Sequence, residues 1–393
     1  MDYKQSVAKI LKLYGEKFHE LRGYLEAWTR GEKKDLEHFK LKIPPTRIFI
    51  EPTNQCNRNC VYCAHNSMTR EVSSLSMEAF KNIIDGLPEG TYINMLGNGE
   101  PTLNPDVYGM IRYAVDKGFL VAIITNASTL NATNGKKLLE SGVHRIQISF
   151  DSVVKKVFDY CMQSQNPNLS YERTLKDIID FIYYARMEYS IMSPFITISA
   201  VMIDEVSKVR KINRKFWKAL PIDNYYEGPF LNFCGDTEIG GEQDFTKRNE
   251  WKMCANPFTS VKINSDGTVN PCILDISSKC IAGNIREYSL KQICNNDTSN
   301  KLRKAIYEKD LCYLSGIGIN CHHCNAWTSM VGHDIEGYLC DAFPITYGLM
   351  LKEIETNRPF DASKMHNLEF LKENFNYKTI AHFAGVDESM ICS

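Results

Sequence analysis

The stretch EPTNQCNRNCVYC, residues 51–63, is the part of the sequence that decides the fold. Its first residue ends a short β-branched and aromatic run, residues 47–51, which predicts a strand. The loop after this strand carries three cysteines in a C-x3-C-x2-C array: Cys56, Cys60 and Cys63. Three thiolates can hold three irons of a [4Fe-4S] cluster and leave the fourth iron without a protein ligand. A zinc site with His65 as its fourth ligand is the alternative that these residues leave open.

Outward from this loop, short apolar runs alternate with helix-like segments, which predicts βαβ units and a mainly parallel sheet. The predicted strands are residues 47–51, 92–96, 120–125, 145–150 and 195–203, with a sixth near 225–233. The predicted helices are residues 77–86 with Ser76 as N-cap, 105–117, 132–140, 171–188 and 205–220. Five such units and the sixth strand favour an α/β fold of the incomplete, TIM-like (β/α)6 barrel type, in which ligands bind at the carboxyl ends of the strands.

The regions on either side of this barrel differ from it in pattern. An amphipathic helix is predicted near the N-terminus from the spacing of Ile10, Leu11, Tyr14, Phe18, Leu21 and Leu25, and Pro44-Pro45 ends that region. Beyond Gly240 the sequence becomes rich in Cys, Asn and Gly with short strands, and its last part is helical and mixed. We therefore predict an N-terminal helical extension (1–45), a barrel (46–240), a Cys-rich module (241–340) and a C-terminal helical extension (341–393).

The composition narrows the class of protein. The 393 residues include 46 Lys and Arg against 47 Asp and Glu, so no overall positive field attracts nucleic acid or a membrane surface. With neither a signal peptide nor a long apolar span in the sequence, we expect a cytoplasmic protein without a membrane or nucleic-acid partner. The sequence has 14 cysteines, and clustered cysteines in a reducing compartment usually hold metal.

A second cluster of cysteines lies in the Cys-rich module. Cys254, Gly267 and Cys272 form C-x12-G-x4-C, and Cys321 and Cys324 form C-x2-C. Four thiolates are enough to close one [4Fe-4S] cluster completely, although a zinc ribbon would fit this spacing nearly as well.

With the first cysteine loop, motifs after the later strands resemble the radical S-adenosylmethionine superfamily. Gly97-Asn98-Gly99-Glu100-Pro101 follows the second strand, Thr125-Asn126 ends the third, and Ser149-Phe150-Asp151 ends the fourth. The resemblance implies that Tyr62 lies near the adenine, and that the remaining cofactor contacts come from Gly97, Gly99, Glu100, Pro101, Asn126, Ser149 and Asp151. Ordinary turn and N-cap chemistry explains the motifs at the third and fourth strands equally well.

The resemblance also implies a reaction. The first cluster, reduced by an external one-electron donor such as flavodoxin or ferredoxin, would cleave S-adenosylmethionine to a 5′-deoxyadenosyl radical that removes a hydrogen atom from substrate. The sequence departs from the family pattern at one position. Many relatives have an arginine shortly after the fourth strand, residues 162–168 contain none, and Arg173 is the nearest substitute.

The second cysteine cluster resembles the SPASM/twitch extension of these enzymes, which favours an auxiliary [4Fe-4S] cluster over zinc. A full SPASM module has further cysteines where this chain has Met330 and Asp334, so the single-cluster twitch form fits better. The expected roles of a fully ligated cluster are electron transfer and structural stapling.

The sequence is compatible with four functions. The favoured one is oxidation of a carbinol of a small polyol, sugar or aminocyclitol, with the auxiliary cluster as electron acceptor and Asp236 as the base. The aminocyclitol dehydrogenase branch has the same spacing between its first two auxiliary cysteines. The second is epimerisation with Cys234 as hydrogen donor and Cys392 as a remote substitute. The third is modification of a ribosomal peptide, against which residues 1–43 look too short and too helical to recognise a leader peptide. The non-catalytic alternative is an iron-sulfur electron-transfer scaffold.

Overall fold

The computed structural model describes residues 39–164, 166–189, 194–237, 254, 256–325 and 361–392, with scattered positions between 8 and 23. The apolar positions of the predicted N-terminal helix lie outside the described residues, as do Met330 and Asp334; the described positions between 8 and 23 are helical. Within the described part of the chain, no helix is long and apolar enough to cross a membrane.

Nine strands occur in the described residues. They are β1 (Arg47–Ile50), β2 (Tyr92–Met95), β3 (Leu120–Thr125), β4 (Arg145–Ser149), β5 (Phe195–Met202), β6 (Asn224–Pro229), β7 (Ser260–Ile263), β8 (Thr268–Asn270) and β9 (Gly283–Asn284). All six strands predicted for the barrel are present, with slightly different ends. They were recognisable because strands buried on both faces appear in the sequence as short, almost continuous apolar runs.

The helices are α1 (Met77–Asp85), α2 (Val107–Asp116), α3 (Ala132–Glu140), α4 (Lys155–Cys161), α5 (Tyr171–Tyr183), α6 (Asp204–Lys208), α7 (Arg210–Lys218), α8 (Asn256–Thr259), α9 (Leu290–Cys294), α10 (Asp297–Glu308), α11 (Leu311–Gly316), α12 (Ala362–Glu373), α13 (Tyr377–Ala384) and α14 (Glu388–Cys392). Ser76 caps α1 as predicted, because its side chain accepts a hydrogen bond from Ala79 N. The helix predicted over 171–188 ends in a π-helical turn, Tyr184–Glu188, and the one predicted over 205–220 is divided at Val209. Helix α4 was not predicted.

The chain forms two compact units, each assembled from segments that are distant in the sequence. The first contains Met1–Gln55, Ala64–Val121 and Leu231–Glu355, and the second contains Cys56–Cys63, Ala122–Phe230 and Thr356–Ser393. The division into four parts at residues 45, 240 and 340 stays a prediction.

In the first unit, β1 is the centre of the sheet. It pairs in parallel with β2 on one side, where Ile48 lies opposite Ile93, and with β7 on the other, where Ile48 lies opposite Val261. An antiparallel hairpin joins β7 to β8 through the turn at Asp266-Gly267, and β9 pairs with β8. The strand β7, which lies within the module predicted separately at 241–340, therefore extends the sheet of β1.

In the second unit, β4 pairs in parallel with β3 and β5, and β5 pairs in parallel with β6. The helices cover these strands through a buried aromatic cluster of Phe150, Phe158, Tyr171 and Trp217. The C-terminal helices belong to the same unit, and Asn367 of α12 donates a hydrogen bond to the carbonyl of Ala219. Parallel strands alternating with helices make this an α/β fold, as predicted.

Candidate metal centres and active site

The loop Cys56–Cys63 lies in the second unit and is held by backbone hydrogen bonds to the segment at the end of α4. Asn59 N donates to the Gln163 carbonyl over 2.7 Å, and Val61 N donates to the Cys161 carbonyl over 3.1 Å. Within the loop, Cys63 N donates to the Cys60 carbonyl. These bonds satisfy the backbone of an irregular loop and fix the directions in which its cysteines project.

Arg58 anchors this loop to the rest of the second unit, a role that was not predicted from the sequence. Its buried guanidinium donates to the Met162 carbonyl over 2.9 Å and to Thr174 Oγ1 over 2.7 Å. It also lies over the ring of Phe158, 5.2 Å from the centroid. A loop arginine normally reaches solvent, so the sequence contained no signal that this one is buried.

The three thiols of the loop form one electrostatic group. Burial raises the pKa of the Cys60 thiol well above its usual value, and Cys63, Asp151 and Cys56 raise it further. A bound metal removes this penalty because it stabilises thiolates. No three His, Cys, Asp or Glu side chains in the described residues converge on a single-ion site. Thiolates of a [4Fe-4S] cluster bind different irons and need no such convergence, so the donor set fits a cluster.

Tyr62, between the second and third cysteines, is joined to Asp151 at the end of β4. Tyr62 Oη donates to Asp151 Oδ2 over 2.6 Å, and Val201 N donates to Asp151 Oδ1 over 2.8 Å. Burial raises the pKa of Asp151 to about 6 even though both hydrogen bonds lower it. Asp151 therefore orients the Tyr62 side chain, and direct contact of Asp151 with a cofactor stays a prediction.

Asn126 lies beside the first cysteine of the loop. Its Nδ2 is 3.8 Å from Cys56 Sγ and 3.2 Å from Asn57 Oδ1, while its Oδ1 accepts a hydrogen bond from Ser128 N. Asn126 therefore both stabilises the turn after β3 and lies close to the first cysteine of the loop. Ser149, the last residue of β4, lies opposite Ser199 of β5.

The glycine-rich motif lies in the first unit and packs against protein. A Cβ atom at Gly97 would lie 2.1 Å from Glu51 Cγ, and one at Gly99 would lie 2.3 Å from the Gln55 carbonyl oxygen. Glu100 N donates to this same Gln55 carbonyl over 2.7 Å. Close packing on the chain before Cys56 therefore requires both glycines, and their approach to a ligand stays a prediction.

Glu100 and Pro101 form the start of a 3-10 turn, Pro101–Leu103, that follows the glycines. The buried Glu100 carboxylate caps this turn, since its Oε1 accepts hydrogen bonds from Thr102 N over 3.1 Å and Thr102 Oγ1 over 2.5 Å. The acidic residue of the motif thus has a structural role in the described chain.

A buried polar network organises the end of β1, and sequence reasoning missed it as well. The Glu51 carboxylate accepts two hydrogen bonds from Arg70, one from Asn98 N and one from Ser265 Oγ. Arg70 and Asn98 both donate in addition to the Ile276 carbonyl, over 2.9 and 3.0 Å. The network therefore joins the glycine-rich loop to the chain between Cys272 and Cys280. The sequence signal that could have indicated this network is Glu51, an acidic residue at the end of a buried strand.

The second set of cysteines comes together in the first unit. Cys272, Cys321 and Cys324 are buried in one apolar cluster, Cys254 is partly buried beside it, and none forms a disulfide. Burial raises the pKa of Cys321 well above its usual value, with further increases from Cys272, Cys324 and Cys254. The two halves of the motif thus form one thiol group, and its all-sulfur donor set fits an iron-sulfur cluster.

The two residues predicted for chemistry, Cys234 and Asp236, lie with this second group. Cys234 is buried in the same apolar cluster and hydrogen-bonds to the thiols of Cys272 and Cys324. Asp236 pairs with Lys279, with 3.0 Å between Nζ and Oδ1. Neither contact was expected from the sequence.

Comparison with known families agrees with this arrangement. The family model of the radical SAM superfamily matches residues 50–186, and that of the SPASM iron-sulfur cluster-binding domain matches residues 254–325. Residues 50–186 therefore form a radical SAM domain with the open, partial barrel of that fold, and residues 254–325 form a SPASM iron-sulfur domain. The cofactors of the chain are thus S-adenosylmethionine and [4Fe-4S] clusters, as predicted.

Three proteins illustrate the range of similarity. The chain is 30% identical over 173 residues to the AdoMet-dependent heme synthase of Methanosarcina barkeri, covering 44% of this chain and 48%, about half, of that relative. It is 26% identical over 306 residues to the subtilosin biosynthesis protein AlbA of Bacillus subtilis, covering 71% and 67% of the two chains. The structure of Streptococcus suis SuiB bound to S-adenosylmethionine aligns with a TM-score of 0.54 at 18% identity, over 68% of this chain and 69% of SuiB.

Proposed function

We propose that this protein is a radical SAM oxidoreductase that oxidises a carbinol of a small polyol, sugar or aminocyclitol to a carbonyl. When bound, the reduced cluster and S-adenosylmethionine supply the radical that takes one hydrogen atom from substrate carbon. The substrate then loses one electron to the auxiliary cluster and its hydroxyl proton to a base, which balances a two-electron oxidation. In this proposal Cys56, Cys60 and Cys63 hold the first cluster, and Cys254, Cys272, Cys321 and Cys324 hold the auxiliary one.

The observation that carries this proposal is the location of Cys234. Epimerisation needs a thiol that can return a hydrogen atom to substrate, and Cys234 was the leading candidate in the sequence. Its side chain is only 5% exposed and is engaged by Cys272 and Cys324. Such contacts favour a role at the auxiliary cluster, and they leave electron removal as the better-supported fate of a substrate radical.

The remaining assignments belong to the same proposal. Asp236 is the proposed base, and its carboxylate would accept the proton while Lys279 Nζ holds it in place. Tyr62, Gly97, Gly99, Glu100, Pro101, Asn126, Ser149 and Asp151 are the proposed contacts of S-adenosylmethionine. The proximity of Asn126 Nδ2 to Cys56 Sγ supports its inclusion. An external reductant such as flavodoxin or ferredoxin would supply the first electron.

Peptide modification is the second candidate, and it is favoured by one relative. AlbA, named for biosynthesis of the bacteriocin subtilosin, shares similarity over 71% of this chain. A maturase would use the same two sets of cysteines with a peptide as substrate.

The decisive experiment offers anaerobically reconstituted protein a panel of inositols, amino-inositols and hexoses in deuterium oxide. The proposal predicts one 5′-deoxyadenosine per product and a carbonyl product lighter by two hydrogens. A product of unchanged oxidation level that carries one solvent deuterium at carbon would instead establish epimerisation. If no panel member reacts but a peptide offered under the same conditions is modified, the second candidate holds.

A further inference from the structure

The turn that carries Cys234 has an unusual backbone. Phe233, Cys234 and Gly235 have φ values of 47°, 62° and 86°, so three consecutive residues lie in the left-handed region. For side chains as large as phenylalanine this region is costly and needs support from the surrounding structure. The turn is therefore held in place by its contacts.

The contacts come from the segment that contains the C-x2-C pair. Asn232 N donates to Asn325 Oδ1 over 2.9 Å, and Asn325 N donates to Asn232 Oδ1 over 3.0 Å, a reciprocal pair between two buried asparagines. Asn232 Nδ2 also donates to the His323 carbonyl. A Cβ atom at Gly235 would lie 3.1 Å from His323 Cβ, so the two backbones pack closely.

This clamp directs the Cys234 thiol into the auxiliary group. Cys234 is within hydrogen-bonding range of Cys272, which follows β8, and of Cys324, in the C-x2-C pair. It therefore contacts one cysteine from each half of the motif. The Cys254 thiol is coupled electrostatically to Cys272 and Cys324, and among the four cysteines of the second motif it is the partly exposed one.

We propose that Cys234 is a fifth thiol of the auxiliary centre and binds one of its irons as a thiolate. A [4Fe-4S] cluster takes four protein thiolates, so Cys234 replaces Cys254 in the ligand set given under the proposed function, and Cys254 binds an iron only when Cys234 is removed. Its thiol proton leaves to solvent as the iron binds. This inference rests on the auxiliary cluster alone and holds for oxidation of any substrate, but it excludes Cys234 as a hydrogen donor.

The test uses the full chain with Cys56, Cys60 and Cys63 replaced by alanine, so that only the auxiliary centre contributes iron. Into this background we introduce Cys234→Ala, Cys254→Ala, both together, and Cys280→Ala as the matched control. Cys280 is buried in the same apolar cluster. Iron, sulfide and the electron paramagnetic resonance spectrum of the reduced protein are measured for each.

We expect about four irons per chain in the parent, in Cys254→Ala and in Cys280→Ala. Cys234→Ala should shift the spectrum of the reduced cluster, because a different ligand then binds one iron, and the double variant should lose the cluster. If Cys234→Ala is poorly folded, Cys234→Ser, which keeps the volume and offers an oxygen ligand, should give the shifted spectrum.

Two results would overturn the inference. The first is a spectrum and iron content of Cys234→Ala, or of Cys234→Ser, identical to those of the parent. The second is a parent that binds zinc instead of iron, which removes the auxiliary cluster itself and is recognised by the absence of any iron signal.

Discussion

Glu51 and Arg70 form a buried, two-pronged ion pair, with Arg70 Nη1 and Nη2 lying 2.9 and 2.7 Å from the two carboxylate oxygens. Their side chains are 0% and 7% exposed. In the sequence these two residues stand on either side of the first cysteine loop. The pair therefore holds together the chain that enters this loop and the chain that leaves it.

Replacing Arg70 by glutamine should be strongly destabilising, because the Glu51 carboxylate would stay buried without its partner. Breaking one side of a buried pair costs about 3–5 kcal/mol in the free energy of unfolding. Urea unfolding of the reconstituted protein measures it. The control is Lys117→Gln, which breaks the exposed pair with Asp85 and should have little effect. Similar losses in both variants would show that the buried network contributes nothing special.

Replacing Gly99 by alanine should also destabilise the protein, because the new methyl group meets the Gln55 carbonyl at 2.3 Å. Overpacking of this kind costs about 1–3 kcal/mol. Gly109, on the exposed side of α2, has open space around it, so Gly109→Ala should be neutral or stabilise by about 0.5–1 kcal/mol. The thermal unfolding midpoints of the two variants are compared with that of the parent. A midpoint of Gly99→Ala equal to or above that of the parent would contradict the close packing at Gly99.

The buried Asp151 predicts a specific pH dependence. Its pKa in the folded chain is about 6 against a usual 3.8, so the folded state holds this proton more tightly than the unfolded state. The contribution of Asp151 to stability therefore falls as pH rises from about 4 to 6, by at most about 1.4 kcal/mol per pH unit, and is constant above that. The difference in unfolding free energy between the parent and Asp151→Asn should decline over this interval. A difference that is flat or increases with pH would refute the assignment.

Much of the fold could be predicted from the sequence, for physical reasons that are visible in single elements. The strand β3 was predicted with its observed ends because its apolar run is bounded by turn residues, and α1 because Ser76 and its apolar spacing mark its start. The pairing of β7 with β1 could not be predicted, since Val261 and Ile48 meet through a contact between distant parts of the chain.

The candidate site divides in the same way. Motif spacing proposes Cys56, Cys60 and Cys63 as cluster ligands, because cysteines on one loop are a local feature of the sequence. The contact of Cys234 with Cys272 and Cys324 depends on the hydrogen bonds between Asn232 and Asn325. No local sequence pattern indicates that these two asparagines pair. Buried charges such as Arg58 also escaped prediction, because arginine is usually a surface residue.

The count of clustered cysteines predicts two [4Fe-4S] clusters per chain. Anaerobically reconstituted protein should contain about eight irons and eight sulfides. A value of about twelve would contradict the single auxiliary cluster. Replacing Cys280 by alanine provides the control and should leave the value unchanged, because Cys280 is not among the proposed ligands.

The central claim, that the loop after β1 holds the cluster used to cleave S-adenosylmethionine, is tested most directly by measuring 5′-deoxyadenosine. The reduced parent protein should form it from S-adenosylmethionine, and the variant with Cys56, Cys60 and Cys63 replaced by alanine should form none while it retains about four irons in the auxiliary centre. Formation of 5′-deoxyadenosine by that variant at the parent's rate would contradict the assignment of the catalytic cluster.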